Sequence, residues 1–307
     1  MNDFIESKVS EEIDIFELVT TVWKQKLLVS CITFVFSLIA ILISLQLPNI
    51  YKSEALLSPA NSGGSVSGML GQYSGLASMA GISLPSSSGA DNTAEAIERI
   101  KSFTFYERNI LPNINLADLM AAEKWIPSSD TIVYKKNEYD KRSSKWTRNV
   151  SYPRTIKPSA QESHQEFLKI LSVNHDKQTS FVTISIEHVS PNFAKNTLDL
   201  IVFQINNSMQ NNERQRTEKS IEFLNIQLGK TNYEEVKQSI ASLQEDQLKS
   251  LMLLEADKEY VFKMIDFPIS PELKFKPQRS IIVILSTIIG FIFAVIYSLA
   301  RKKVFNK

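Results

Sequence analysis

Two uninterrupted apolar runs dominate the hydrophobic pattern. No charged residue falls between Leu27 and Ile50, and the core of that run, LLVSCITFVFSLIAILISLQL, is 21 residues long. A second run of 21 residues extends from Ser280 to Ala300. At 1.5 Å per residue each helix would cover roughly 30 Å, the thickness of a bilayer core. The pattern predicts transmembrane helices at 27–47 and 280–300. Asp3, Glu6, Glu11, Glu12, Asp14 and Glu17 precede the first run. A cleaved signal peptide needs a basic leader and a shorter apolar region, so this span is read as a retained anchor.

Between the spans the pattern alternates between the periods of strand and helix. YKSEALL, residues 51–57, reads as a strand leaving the membrane. The Gly/Ser-rich stretch 58–89 carries Met69, Leu70, Leu76, Met79 and Ile82, which fits an ordered loop or short helix as well as a flexible insert. Asp91-Asn92-Thr93 is positioned to cap a helix from Ala94, with Ala96, Ile97, Ile100 and Phe103 or Phe105 inward. A second short helix is predicted over Leu116–Trp125. Residues 126–158 are mixed and polar, with Trp125 and Trp146 as packing anchors. Pro158 and Ser159 precede a helix through Phe167, Leu168 and Leu171. TSFVTISIEHV, residues 179–189, is the clearest strand, and Ser190-Pro191 supplies an N-cap and first helical residue.

The helix that follows carries Ala194, Leu198, Ile201, Ile205 and Met209, then turns polar on nearly every side over 206–220. Such a surface predicts solvent or a polar neighbour. Ile221, Leu224 and Leu228 resume the stripe, Gly229 can end it, and Thr231 and Glu234 have capping-box spacing. A further helix runs to about Lys258, so long helical segments occupy 190–258. YVFKMID alternates Tyr260, Phe262 and Met264 as a strand, expected to join a sheet with 51–57 and 181–187 near the membrane while the helices rise away. Pro268, Pro271 and Pro277 make 268–279 a stiff, unpaired return segment.

Charge adds orientation. Lys24 and Lys26 flank the first span, and Arg301, Lys302, Lys303 and Lys307 follow the second. The positive-inside rule places 1–26 and 301–307 in the cytoplasm and 48–279 outside it, although Lys52, Lys274, Lys276 and Arg279 flank the other side. Residues 48–279 contain 27 basic and 27 acidic residues. That neutrality argues against nucleic acid as a partner. The single cysteine, Cys31, lies in the first span, so the domain has no disulfide. Ser286, Gly290, Ala294 and Ser298 recur every four residues as a small-residue ridge, the kind that lets helices approach closely in lipid, and Ala40 and Ser44 form a shorter one.

Candidate chemistry is sparse. GKT at 229–231 lacks the glycine five positions earlier that a phosphate-binding loop needs; residue 224 is Leu. His164, His175 and His188 fit no zinc spacing. Serines of the Gly-rich stretch lack the strand-turn-helix setting of a nucleophile elbow. The reading is a non-enzymatic protein without cofactor or metal, a membrane-anchored α/β fold whose two transmembrane helices flank an extracytoplasmic domain with projecting long helices.

That layout resembles the Wzz-type polysaccharide co-polymerases, the chain-length determinants of bacterial surface glycans. EEIDIFELVTTVWKQK resembles their short cytoplasmic segment. LGQYSGLASMAGI with AIERIKSFTFYERNIL resembles their loop and helix, and ISIEHVSPNFAKNTLDLIV their strand-to-helix passage. MIDFPISPELKFKPQRSIIVILSTIIG resembles their membrane return. The resemblance implies a two-pass protein of the Gram-negative inner membrane with a periplasmic domain. It also implies a ring-shaped homo-oligomer, commonly an octamer, acting with a Wzy-type polymerase to set glycan length. Nascent lipid-linked polysaccharide is a candidate ligand, and Arg214 and Arg216 a candidate inter-subunit or glycan-facing surface. No Walker motif marks a fused kinase, and 190–258 implies shorter helices than those of the tallest members. An export adaptor or a scaffold without length control would share the architecture; a two-span sensor would need a signalling domain.

Overall fold

The computed structural model describes residue 23 and residues 25–60, 89–256 and 259–305. The acidic leader and residues 61–88 of the Gly/Ser-rich stretch therefore lie outside the described residues. Two compact units emerge, one reaching to Asn49 and resuming at Phe275, the other Ile50–Lys274.

In chain order the principal elements are α1 (Lys26–Gln46), β1 (Tyr51–Pro59), α2 (Gly89–Lys101), α3 (Leu116–Ala121), β2 (Ala122–Ile126), β3 (Thr131–Tyr134), β4 (Tyr139–Asp140), β5 (Lys145–Trp146), α4 (Ala160–Ile170), β6 (Leu171–His175), β7 (Val182–His188), α5 (Pro191–Lys230), α6 (Glu234–Ala256), β8 (Phe262–Asp266) and α7 (Arg279–Phe305). Residues 103–113 form three short helical turns. Lys26–Gln46 and Arg279–Ala300 are long and apolar enough to cross a membrane by length and composition.

The second unit is built on an antiparallel sheet of order β6-β7-β1-β8. Its inward positions are Ala55 and Leu57 of β1, Val182, Ile184 and Ile186 of β7, and Phe262 of β8, all buried. Phe262 stands opposite Pro59 and Met264 opposite Leu57, so the alternation read in YVFKMID matches the pleat. Ala194, Leu198, Ile201, Val202 and Ile205 of α5 complete the core. Ser190 caps that helix, its Oγ accepting from Phe193 N at 3.3 Å, and Pro191 takes the first helical position, where a missing N–H costs nothing.

Three local expectations are corrected. The first helix of the domain begins at Gly89, so Asp91-Asn92-Thr93 lie inside it and not at its cap. The helix expected over 116–125 stops at Ala121; Trp125 sits in β2 opposite Ile132, edge-on to Tyr51. Leu171 opens a strand, and the pairing of β6 with β7 places Leu171 opposite Ile186 and Val173 opposite Ile184.

The polar stretch of α5 has an internal explanation. Asn206, Gln210 and Arg214 are spaced by four and share one side of the helix. Asn206 is buried: its Oδ1 accepts from Val261 N and Phe262 N, both at 2.9 Å, and its Nδ2 donates to Phe262 O at 2.9 Å. Gln210 Nε2 donates to the Leu254 carbonyl at 2.5 Å, one of the carbonyls a helix end leaves without a partner. Arg214 Nε lies 2.7 Å from Glu255 Oε1. The inward stripe of α5 turns polar where its neighbour changes from apolar sheet to the buried backbone of a chain reversal. Asn206→Leu should lower unfolding free energy by ~3 kcal/mol, because three backbone groups lose their partner together. Urea denaturation of the purified protein measures this, and an unchanged midpoint would rule out the clamp.

Candidate functional site

Within the first unit, α1 and α7 pack as an antiparallel pair. Ser298 Oγ donates to Gln25 Oε1 at 3.1 Å near one end, and Arg279 Nη2 donates to Asn49 Oδ1 at 3.1 Å near the other. Midway, the rings of Phe36 and Phe293 lie 6.0 Å apart. A methyl group added at Gly290 would stand 2.6 Å from Phe36 Cβ, so the absence of a side chain there is what admits the phenylalanine. Ala294 and Ser298 are fully buried, as are Ala40 and Ser44 of α1, while Ser286 is half-buried. The ridge Ser286, Gly290, Ala294, Ser298 thus faces the first span of the same chain. Thr33 and Thr287 donate to the carbonyls one turn back, Val29 O at 2.9 Å and Val283 O at 2.7 Å, which settles two hydroxyls that lipid could not hydrate.

The predicted pair on α5 divides. Arg214 is engaged with Glu255 inside its own chain. Arg216 projects, 84% exposed, with Glu213 3.9 Å away. Large apolar side chains are interspersed among the charged and amide residues of the outer surface of α5 and α6: Phe203, Phe223, Ile226, Leu243, Met252 and Leu253 are all exposed. Gln244 Nε2 of α6 donates to Asn225 Oδ1 of α5 at 2.5 Å, holding the two helices as a hairpin.

The return segment is less free than an unpaired spacer. Pro268 is buried and Pro271 half-buried. Ser53 Oγ donates to Ile269 O at 2.8 Å, and Ser270 Oγ donates to Asn192 Oδ1 at 2.7 Å. Pro277 is half-buried in the first unit.

Sequence reasoning missed a polar cluster at the foot of α5. A cavity of about 400 Å³ is lined there by Asn115, Asp118, Asp130, Asn192, Asn196 and Thr197 among others. Asp130 accepts from Trp125 Nε1 and Asn192 Nδ2, both at 2.8 Å, and Asp118 accepts from Tyr134 Oη at 2.5 Å. Burial raises the Asp118 carboxyl, and burial followed by the Asp118 bond raises the Tyr134 phenol. His188 is buried beside them. Its Nδ1 accepts from Ser190 N at 3.1 Å, so its proton sits on Nε2, which donates to Asp118 O at 2.9 Å. The only early signal was the adjacency of His188 to the capping Ser190. The cluster contains no nucleophile paired with a base, and its carboxylates are spent on positioning. Among the described residues no group of three or more His, Cys, Asp and Glu is placed to hold a metal.

The model of the family described as Wzz, chain length determinant protein, matches residues 11–110. Among solved structures, a full-length bacterial polysaccharide co-polymerase is similar at 12% identity, covering 95% of this chain and 99% of its own, with a TM-score of 0.42. A fragment of WzzB, polysaccharide co-polymerase from Salmonella Typhimurium, is similar at 12% identity over 74% of this chain and 100% of its own, with a TM-score of 0.31. No protein among the curated sequences compared matches the chain.

Two predictions follow from this geometry. Gly290→Ala should destabilise the protein in detergent by about 1–3 kcal/mol through overpacking, and adding Phe36→Gly, which removes the Cβ that the new methyl meets, should recover part of the loss. Additive losses in thermal unfolding of the double variant would show that the two residues do not meet. Burial lowers His188 to about 4, against an ordinary value of 6.5. The neutral ring is the folded form, so its contribution is complete above pH 6.5 and is lost as pH falls toward 4, on the order of 3 kcal/mol. Melting temperature scanned from pH 7.5 to 4.5 should fall in that window and fall less in His188→Asn; identical profiles for the two proteins would refute the assignment.

Proposed function

We propose that this chain, whose residues 11–110 match the model of the Wzz chain length determinant family, is a non-enzymatic regulator of surface-polysaccharide chain length working with a Wzy-type polymerase. The family match is the observation that carries the reading. The two membrane-length helices on either side of a mixed α/β domain support a two-pass inner-membrane topology with that domain in the periplasm. On this reading 1–26 and 301–307 are cytoplasmic, 27–47 and 280–300 cross the membrane, and 48–279 is the chain-length determinant domain.

The protein acts as a homo-oligomer, a ring of eight in this proposal, that holds polymerase or growing lipid-linked glycan until extension stops. Ser286, Gly290, Ala294 and Ser298 keep the two spans of each subunit together. The Gly290–Phe36 approach supports that role. Arg216 serves the inter-subunit or glycan-facing surface, and its exposure is compatible with this. Arg214 contributes there by fixing the end of α6, consistent with its pairing to Glu255. Pro268, Pro271 and Pro277 stiffen the return to the membrane.

Deletion of the gene should abolish the modal cluster of glycan lengths on a gel, and restoring the gene should bring it back. Arg216→Glu should broaden or shift the cluster without reducing the amount of protein. A normal length distribution with less surface glycan would replace length control by export. An unchanged cluster and unchanged assembly in Arg216→Glu would remove that residue from the surface.

A further inference from the structure

The end of β8 and the chain from there to α7 carry a row of large apolar side chains that the core does not use. Ile265 is 49% exposed, Phe267 60%, Ile269 69% and Leu273 84%. Solvated surface normally scatters such residues singly; here four fall within nine positions. They cannot collapse inward. The Ser53 bond fixes the Ile269 carbonyl, the Ser270 bond ties the next residue to Asn192 at the start of α5, and Pro268 is buried between them. Extended backbone alternates its side chains, so seating Pro268 and Ser270 against the domain turns Phe267 and Ile269 away from it.

We propose that this row is a lipid-surface contact, with Phe267, Ile269 and Leu273 entering the headgroup region of the bilayer that the spans cross. The proposal rests on the two-span reading. Covalent reach is the first argument. Leu273 precedes Arg279 by six residues, and an extended chain covers at most about 3.5 Å per residue, so it lies within ~20 Å of the residue that opens α7. Charge is the second. Lys263, Lys274, Lys276 and Arg279 accompany the row, against Asp266 and Glu272. Apolar side chains with an excess of basic neighbours suit an interface of acyl chains and anionic headgroups, where the lysine stems also contribute apolar surface. A second copy of the chain would satisfy the apolar side chains equally, but neither the short tether nor the basic excess favours it.

Spin labels decide between these surroundings. In the full chain with Cys31→Ser, nitroxides are attached at Phe267→Cys or Ile269→Cys. The protein is placed in vesicles of phosphatidylethanolamine and phosphatidylglycerol, and relaxation by oxygen is compared with relaxation by a water-soluble nickel chelate. Leu285→Cys, exposed on α7, is the lipid reference, and Tyr233→Cys, exposed between α5 and α6, the aqueous one. Oxygen-to-nickel ratios several-fold above that of Tyr233→Cys at both positions are expected. Nickel access equal to that at Tyr233→Cys would overturn the proposal in favour of water. Low access to both reagents would overturn it in favour of a covering protein copy. An aqueous result at Leu285→Cys itself would instead overturn the two-span reading.

Discussion

One buried amide, Asn206, makes the geometry of the domain possible. The helix α5 is 40 residues long, or roughly 60 Å, and only its first half rests on the sheet. A helix that leaves its core behind needs the returning chain to be fixed at the point of departure. Asn206 does this by accepting from the Val261 and Phe262 amides and donating to the Phe262 carbonyl. Those groups sit where α6 has ended and β8 opens opposite Pro59, on the side of that edge strand that has no ladder partner. Because β8 is an edge strand paired only with β1, its position depends on that clamp as much as on its own ladder.

The elements legible in the sequence are those whose pattern and packing agree locally. Both spans are legible because 21 uncharged residues leave no soluble alternative of ordinary length. The strand β7, the Ser190-Pro191 helix start and β8 are legible because one periodicity coincides with one buried side. The strand β6 was hidden because LSVNH places only Leu171 and Val173 against the core, and it follows a helix with no breaker between them. Trp125 was assigned to a helix because LADLMAAEKW continues an apolar rhythm; the pairing of β2 with β3 and the contact with Tyr51, both non-local, decide otherwise. The membrane ridge could be read as a row of small residues, but its counterpart could not. Nothing in the spacing of Gly290 names Phe36 as the side chain it accommodates.

The foot of α5 illustrates a different limit. His188, Asp118, Asp130, Tyr134 and Trp125 come from three separate stretches of chain. Trp125 reads as a packing anchor, and the other four look like ordinary surface or structural residues when read alone. Their hydrogen bonds build a rigid polar corner that fixes the start of α5 against the β2–β3 hairpin. A buried neutral histidine in such a corner is best understood as a structural donor: both ring nitrogens are committed to backbone groups, which leaves none for substrate.

The same reasoning changes what the long helices offer to a partner. Read as sequence, 206–220 is a polar surface that faces solvent or a polar neighbour. In the fold its most constrained polar side chains, Asn206, Gln210 and Arg214, point at the chain's own reversal and at the end of α6, where Arg214 also lies at the negative end of a helix dipole. Hydrogen bonds at Asn206 and Gln210 and the Arg214–Glu255 ion pair therefore engage inside the chain side chains that could otherwise face solvent, a glycan or another subunit. What remains outward mixes charged and amide side chains with Phe203, Phe223 and Ile226 on α5 and Leu243, Met252 and Leu253 on α6. A homo-oligomer built through this hairpin would gain by removing apolar area from water, a non-directional attraction that tolerates small rotations between subunits. Exposed charges such as Arg216 would then set register and orientation at the rim, where they add little to the affinity itself.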